Sequence, residues 1–392
     1  MSEMVQTDSE IFAGGPPFRW QRSLGLITPD NPRIMHRAVL AGVVGWVPLV
    51  VLAIVQDSAW GGEKLRALLL DFAVPARTLI AAPLFIFAES VCIPQLGVIV
   101  RHFLDAGLVP ESERHRFDAA LASTRRLLDS TTVEVITIVL AYILMVAMIH
   151  YVPLREFQVW HRSGSGESQS FSLAGWWHAL VSLPLLSVLL LGWLWRLFLW
   201  GRLLRQISHL DLRLIPAHPD HAGGLQFLGH SLWAFSLLGF ALGTIIAGSV
   251  ADRVIHTGVP TTTHLYLIGG LLIVVVGLFS GPLLVFPRKL HEARQEGILA
   301  YGALAGHEGQ QFERKWLNRV EPLDESALEV PDFSATTDLY QVAANVYEMG
   351  FLPFEPKDLS PLVVATLLPF IPVALISVPL NVLVQELTKL LL

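Results

Sequence analysis

The chain has 392 residues, of which 53% are hydrophobic and 15% charged, with a mean hydropathy of +0.54. An average soluble domain is roughly a quarter charged, so this composition excludes an ordinary water-soluble globule and predicts a membrane protein. Twenty-seven Lys and Arg against 33 Asp and Glu give a net charge of −6 and a pI near 6.2, which excludes the concentrated positive footprint of a nucleic-acid binder, and a single Cys excludes a disulfide framework or a four-ligand zinc module.

A lipid-spanning helix needs roughly 20 mostly apolar residues, because it must satisfy its own backbone across the hydrocarbon core. The chain opens with a polar segment, residues 1–37, in which Gly14-Gly15-Pro16-Pro17, Pro29 and Pro32 leave no apolar core for a cleavable signal peptide. The first span, Ala38 to Val55, is therefore expected to be its own signal anchor. Further spans are predicted at Asp71–Cys92, interrupted by Pro75, Arg77 and Pro83, and at Thr132–Tyr151, Leu173–Trp200, Leu225–Val250 and Leu265–Phe286. The C-terminal stretch, residues 362–392, carries Pro369, Pro372 and Pro379 and reads as a kinked span or a tight re-entrant pair. The predicted fold is all-α, a polytopic transmembrane helix bundle of seven spans (six to eight), with the bundle proper over residues 38–286.

The connections carry structure of their own. Residues 94–131 read as two helices parted by Gly107 and Pro110, the second amphipathic through Phe117, Leu121, Leu127 and Leu128 and running into the third span. Val152–Ser172 reads as a small ribbon around Gly164 and Gly166. Residues 287–361 read as a long helix to Arg319, a turn-rich stretch with Pro322 and Pro331, and a shorter helix from Ala335 to Met349. That segment is small for an enzymatic domain and suits a docking or gating element. Gly239 to Gly243 and Gly277 to Gly281 are spaced for close packing of the fifth and sixth spans.

Twenty of the 27 basic residues fall in segments on the N-terminal side of the membrane and six on the other, with Arg77 inside a span. The positive-inside rule then predicts a cytoplasmic N-terminus. An ionisable group inside a span costs several kcal/mol unless it is paired or wet. The alternating topology brings Glu89, Glu134, Arg196 and His230, from four spans, to one layer near the cytoplasmic ends. That layer reads either as charge pairing that holds the bundle or as a polar vestibule on a transport path. Arg77 lies near the outer end of its span, placed to snorkel, to pair with Asp57 or Asp71, or to line an outer cavity with His150.

The most distinctive stretch connects the fourth and fifth spans. His209, Asp211, His218, Asp220 and His221, near His230, are ligand types suited to a divalent metal, although their spacing matches no established metal module. His218-Pro219-Asp220 ahead of Gly223-Gly224 also reads as turn chemistry, with Asp220 capping the next helix. The same triplet marks J-domain co-chaperones, whose short flanking helices this chain does not have. Leu212-Arg213-Leu214-Ile215-Pro216, His218-Pro219-Asp220 and Gly223-Gly224-Leu225, with Arg126 to Glu134 and Pro353-Phe354, resemble the recurring blocks of an uncharacterised family of multi-pass bacterial inner-membrane proteins. The resemblance implies a bacterial inner membrane and a shared topology, and it carries no activity.

Three function classes follow. Buried charges at two depths and broken helices favour a channel or transporter for an ion or small solute. A membrane-embedded enzyme on lipid or isoprenoid phosphates would centre on the His209–His221 stretch, without the nucleophile-and-base spacing such chemistry needs. A scaffold or sensor would dock a cytoplasmic partner on residues 287–361 through Trp316, Phe333, Tyr340, Tyr347 and Phe351. The lipid bilayer is the implied partner in every case and self-association suits each. No cofactor is predicted unless a divalent metal sits at His218, Asp220 and His221.

Overall fold

The computed structural model describes residues 12–27, 32–57, 62–153, 157–163, 170–259, 261–317 and 332–377. Gly164 and Gly166 of the expected ribbon, the turn-rich stretch with Pro322 and Pro331, the Asp57 side chain, and Pro379 lie outside the described residues. The protein is an all-α polytopic bundle. Its long helices are α2 (Ile34–Asp57), α4 (Ala73–Asp105), α6 (Thr131–Tyr151), α7 (Leu173–Ser208), α8 (Gln226–Thr257) and α9 (Thr261–Val285), preceded by α1 (Phe18–Ser23) and with α3 (Glu63–Leu69) and α5 (Arg114–Leu128) between them. All six are long and apolar enough to cross a membrane, and the bent pair α12 (Pro356–Leu367) and α13 (Phe370–Ser377), at 48°, makes a seventh if counted as one span. A helical hairpin, α10 (Pro287–Trp316) with α11 (Asp332–Glu348), separates α9 from α12. The ribbon is two residues long on each side, Arg162–Ser163 against Ser170–Phe171.

A proline inside a helix removes an N–H and orphans the carbonyl four residues earlier, which has no water to turn to in lipid. The sequence supplies side chains for this. Pro48 frees the Val44 carbonyl, which accepts from Trp177 Nε1 at 3.1 Å; Pro184 frees the Leu180 carbonyl, which accepts from the Tyr142 hydroxyl at 3.1 Å; and Pro361 frees the Lys357 carbonyl, which accepts from Ser360 Oγ at 2.7 Å. Two of these repairs cross between helices, so they also fix the packing of α2, α6 and α7. Within α4 and α7 the backbone widens to π-helical turns at Ala76–Ala81 and His178–Ser182, beside Pro75 and just before Pro184.

Helix α4 continues to Asp105, well past Cys92. Pro94 costs one hydrogen bond, while Leu96, Ile99, Val100 and Phe103 still have an apolar surface to bury, supplied by α5 and α8. Phe103 closes the end of the bundle, its ring 5.1 Å from Phe227, 6.4 Å from Phe286 and 6.5 Å from Phe117. Helix α5 buries Phe117 and Leu128 as its stripe predicts, but it stops at Leu128 and α6 starts afresh after Ser130. The glycine spacing marks a different contact from the one expected. A Cβ on Gly243 would lie 2.1 Å from the Thr366 carbonyl and one on Gly239 2.6 Å from Thr366 Oγ1, so α8 packs tightly on α12, whereas no described residue comes within 4 Å of a Cβ on Gly277 or Gly281.

Candidate functional site

The helices place buried polar groups at both ends of the bundle. At the end where residues 12–27 lie (the N-terminal face), Glu89 of α4 lies between two guanidiniums. Its Oε2 accepts from Arg37 Nη2 of α2 at 2.8 Å and its Oε1 from Arg196 Nη2 of α7 at 3.0 Å, and all three side chains are under a tenth exposed. Among the described residues two fixed positive charges face one carboxylate, which leaves a surplus positive charge, and Arg37 Nε is a buried donor with no partner among them. Arg196 is held on its other side by a backbone oxygen: the Gly14 carbonyl accepts from its Nη2 at 2.7 Å and its Nε at 3.2 Å, and its guanidinium stands 5.0 Å over the Trp193 ring.

That carbonyl shows where the N-terminal segment goes. Residues 12–27 enter the mouth of the bundle, with Phe12 fully buried edge-on to Trp200 at 5.8 Å. Gly14 and Gly15 take φ of +116° and +82°, which lets the chain turn over Leu128 and down to Arg196. Pro16 then crosses α7 so closely that a Cβ on Gly192 would stand 2.3 Å from the Pro16 carbonyl oxygen. Glu134 belongs to this seal: its Oε1 accepts from the Trp20 backbone N–H at 2.9 Å, and Arg19 donates to Thr131 Oγ1. Of the four residues expected in one layer, Glu89 and Arg196 meet, Glu134 instead clasps the N-terminal segment, and His230 is exposed with Nδ1 3.0 Å from the Phe227 carbonyl. Arg37 and the segment from Phe12 to Trp20 were missed. The signal available for Arg37 was its place directly before the first expected span, and for the segment a run of Gly and Pro flanked by aromatics.

At the far face Arg77, in the π-helical turn of α4, donates from Nη2 to Ser249 Oγ of α8 at 2.9 Å. It points across the bundle, with His150 exposed elsewhere. Asp71 is spoken for: its Oδ1 accepts from the Ala73 and Val74 backbone N–H groups and its Oδ2 from Trp160 Nε1 at 3.0 Å. Asp252 accepts from Gln158 Nε2 at 3.0 Å, and buried His161 and His178 share a 3.0 Å contact between Nε2 and Nδ1. Burial, with Arg77 nearby, pushes the His161 pKa down to about 3.

The His218-Pro219-Asp220 loop is organised by its carboxylate. Asp220 Oδ1 accepts from the Ala222 and Gly224 N–H groups at 2.9 and 3.1 Å, and Oδ2 accepts from the N–H of Gln226, the first residue of α8, at 3.1 Å. Burial raises the pKa of this carboxyl, but the three backbone donors and His218 Nδ1, 2.8 Å from Oδ1, more than offset that and hold it below its ordinary value. His221, at φ +52°, turns away from His218 toward Glu348. His218 and His230 instead share a cavity of about 450 Å³ with His102, Gln226, Lys357 and Asp358. Asp358 also reaches back to cap α12 through the Glu355 N–H at 2.8 Å. His209 and Asp211 lie outside this cavity, both exposed. Among the described residues no three His, Cys, Asp or Glu side chains stand close enough to share a metal ion.

No family model, curated protein or solved structure matches the chain.

Proposed function

We propose that the chain is a channel or transporter for an ion or small solute in a bacterial inner membrane, with its N-terminus in the cytoplasm. The orientation rests on the sequence, in which 20 of the 27 basic residues fall in segments expected on the N-terminal side of the membrane. The observation that carries the transport reading is the Arg37–Glu89–Arg196 cluster. A pair that only holds helices together is complete with one arginine, whereas this site keeps a second guanidinium and, among the described residues, a donor without a partner under a backbone seal. The surplus positive charge favours an anionic cargo. Arg77 and Ser249 supply a polar layer at the other end, and the apolar belt of Ala81, Ala82, Phe85 and Leu238 closes the path between them. In this reading the N-terminal segment is the inner gate, seen shut.

Osmotic swelling of proteoliposomes tests this. With valinomycin present, potassium crosses freely and the swelling rate in potassium chloride, acetate or phosphate reports anion entry. Gly192→Ala, which dislodges the segment, is expected to raise that rate above the wild-type rate for at least one salt. Correctly inserted protein that leaves every salt at the protein-free rate, in both forms, overturns the reading.

A second reading, a scaffold that docks a cytoplasmic partner, is favoured by the exposure of Leu299, Tyr340 and Tyr347 on the α10–α11 hairpin. Co-purification of one stoichiometric partner that Leu299→Glu abolishes, with no flux, supports it in place of transport.

A further inference from the structure

A cleft of about 480 Å³ on the N-terminal face lies apart from the buried layers, between α5 and the last two turns of α7. His115, Arg116, Arg202, Arg205, Gln206 and His209 line it, and among the described residues no carboxylate does. Arg116 shares its charge with Glu113 at 2.8 Å, and Asp118 is turned to Arg114 at 3.5 Å. Arg202 is fixed by neutral partners only, donating to Ser123 Oγ at 2.9 Å and to Gln206 Oε1 at 3.3 Å. Among the described residues no carboxylate forms an ion pair with Arg202, Arg205, His115 or His209. Like charges gathered in one concavity repel one another, and a bound anion relieves that repulsion. Guanidinium forks match the oxygens of a phosphate in particular.

Depth along the helix narrows the ligand. Trp195 and Phe198 stack at 5.3 Å and Phe198 is 57% exposed, which marks where α7 leaves the hydrocarbon. Arg202 and Arg205 lie about 6 and 10 Å further along the axis, the depth of lipid phosphates. The carbonyls at the C-terminal end of α7 oppose an anion, but the Arg205 carbonyl is already occupied by Ser208 Oγ at 2.9 Å. We propose that this cleft binds a phosphate anion, the headgroup of an anionic phospholipid being the source that its depth favours. The proposal does not depend on the transport reading.

Native mass spectrometry of the full chain in micelles with equal phosphatidylglycerol and phosphatidylcholine tests it. The wild type is expected to retain phosphatidylglycerol about tenfold over phosphatidylcholine. Arg202→Gln with Arg205→Gln is expected to bring that preference to within about twofold, Arg205→Gln alone to reduce it about threefold, and Arg288→Gln, an exposed arginine outside the cleft, to leave it unchanged. Arg205 is exposed, so its single variant keeps the test open if the double variant does not fold. Competition by soluble glycerol phosphate separates the sources: displacement below millimolar concentration assigns the site to a free phosphate compound, and no displacement assigns it to the lipid. Equal retention of the two lipids by the wild type, or the same preference in wild type and Arg205→Gln, overturns the proposal.

Discussion

Replacing Gly192 with Ala adds one methyl group, and the structure states what that methyl meets. Its Cβ would lie 2.3 Å from the Pro16 carbonyl oxygen, roughly 1 Å inside normal contact, and the obstacle is backbone. Helix α7 gains from Ala, since Gly costs about 1 kcal/mol in a helix interior. The N-terminal segment must therefore yield. Overpacking of this kind costs about 1–3 kcal/mol, and each 1.4 kcal/mol is a factor of ten in the open population. Against the segment's own anchorage, the burial of Phe12 at about 2–3 kcal/mol and the charge-assisted bonds from Arg196 to Gly14, that strain is enough to raise the detached population about 10- to 100-fold without melting the bundle. Trypsin reads this, because Arg19 and Arg22 are exposed but held in the helical backbone of α1, which is cut once it leaves its seat and unwinds. The control is Gly201→Ala in the same helix, where the new Cβ meets Pro282 at an ordinary 3.6 Å. If Gly192→Ala and Gly201→Ala are cut after Arg19 at the same rate as wild type, the N-terminal segment does not occupy the mouth and the gate argument fails.

Other perturbations have equally definite outcomes. Glu89→Gln leaves two buried guanidiniums without a counter-charge and is expected to cost about 3–5 kcal/mol, read as a lowered unfolding temperature in detergent; Glu89→Gln with Arg37→Met should recover part of the loss, and no loss in the single variant would refute the charge bookkeeping. Asp220→Asn removes the charge but not the shape of the loop's organiser, so about 1.5–3 kcal/mol of stability should go, with faster proteolysis between Arg213 and Gln226; an unchanged cleavage rate would show that the loop does not depend on the carboxylate. Because His161 has a folded pKa near 3, below its usual 6.5, it contributes stability that is complete above pH 6.5 and is lost as the pH falls from 6.5 toward 3, at about 1.4 kcal/mol per pH unit. His161→Gln should flatten the unfolding temperature between pH 6.5 and 5; the same acid loss in the variant would place the sensitivity elsewhere. Trp177→Phe strips the donor from the Val44 carbonyl that Pro48 orphans and should cost about 1–3 kcal/mol, whereas a neutral effect would mean that the carbonyl finds another partner.

Apolar length made the spans legible in the sequence, because lipid demands it of any helix that crosses. The ends were less so: α4 runs on to Asp105 since whether an apolar stretch after Pro94 continues as helix depends on what covers it, here α5 and α8. Glu89 and Arg196 were readable as a costly pair, since few other groups at that depth could neutralise either. The third member, Arg37, sits at a span's start, where an arginine normally snorkels, and only packing shows it turned inward. The fold-back of residues 12–27 carries no periodicity at all and was readable only as turn residues. Asp220 as a cap followed from residue type and place, while the cavity that joins His102, His218 and His230 to Lys357 depends on three segments far apart in the chain.

In the proposed function the Arg37–Glu89–Arg196 cluster lies on a path for solute that the N-terminal segment closes. Valinomycin-coupled swelling of proteoliposomes, compared between wild type, Gly192→Ala and Gly192→Ala with Glu89→Gln, tests it most directly. Anion entry is expected to rise when the segment is dislodged, and to change its rate or its preference among chloride, acetate and phosphate when the carboxylate is neutralised. Swelling at the protein-free rate in all three, with each protein correctly inserted, would contradict it.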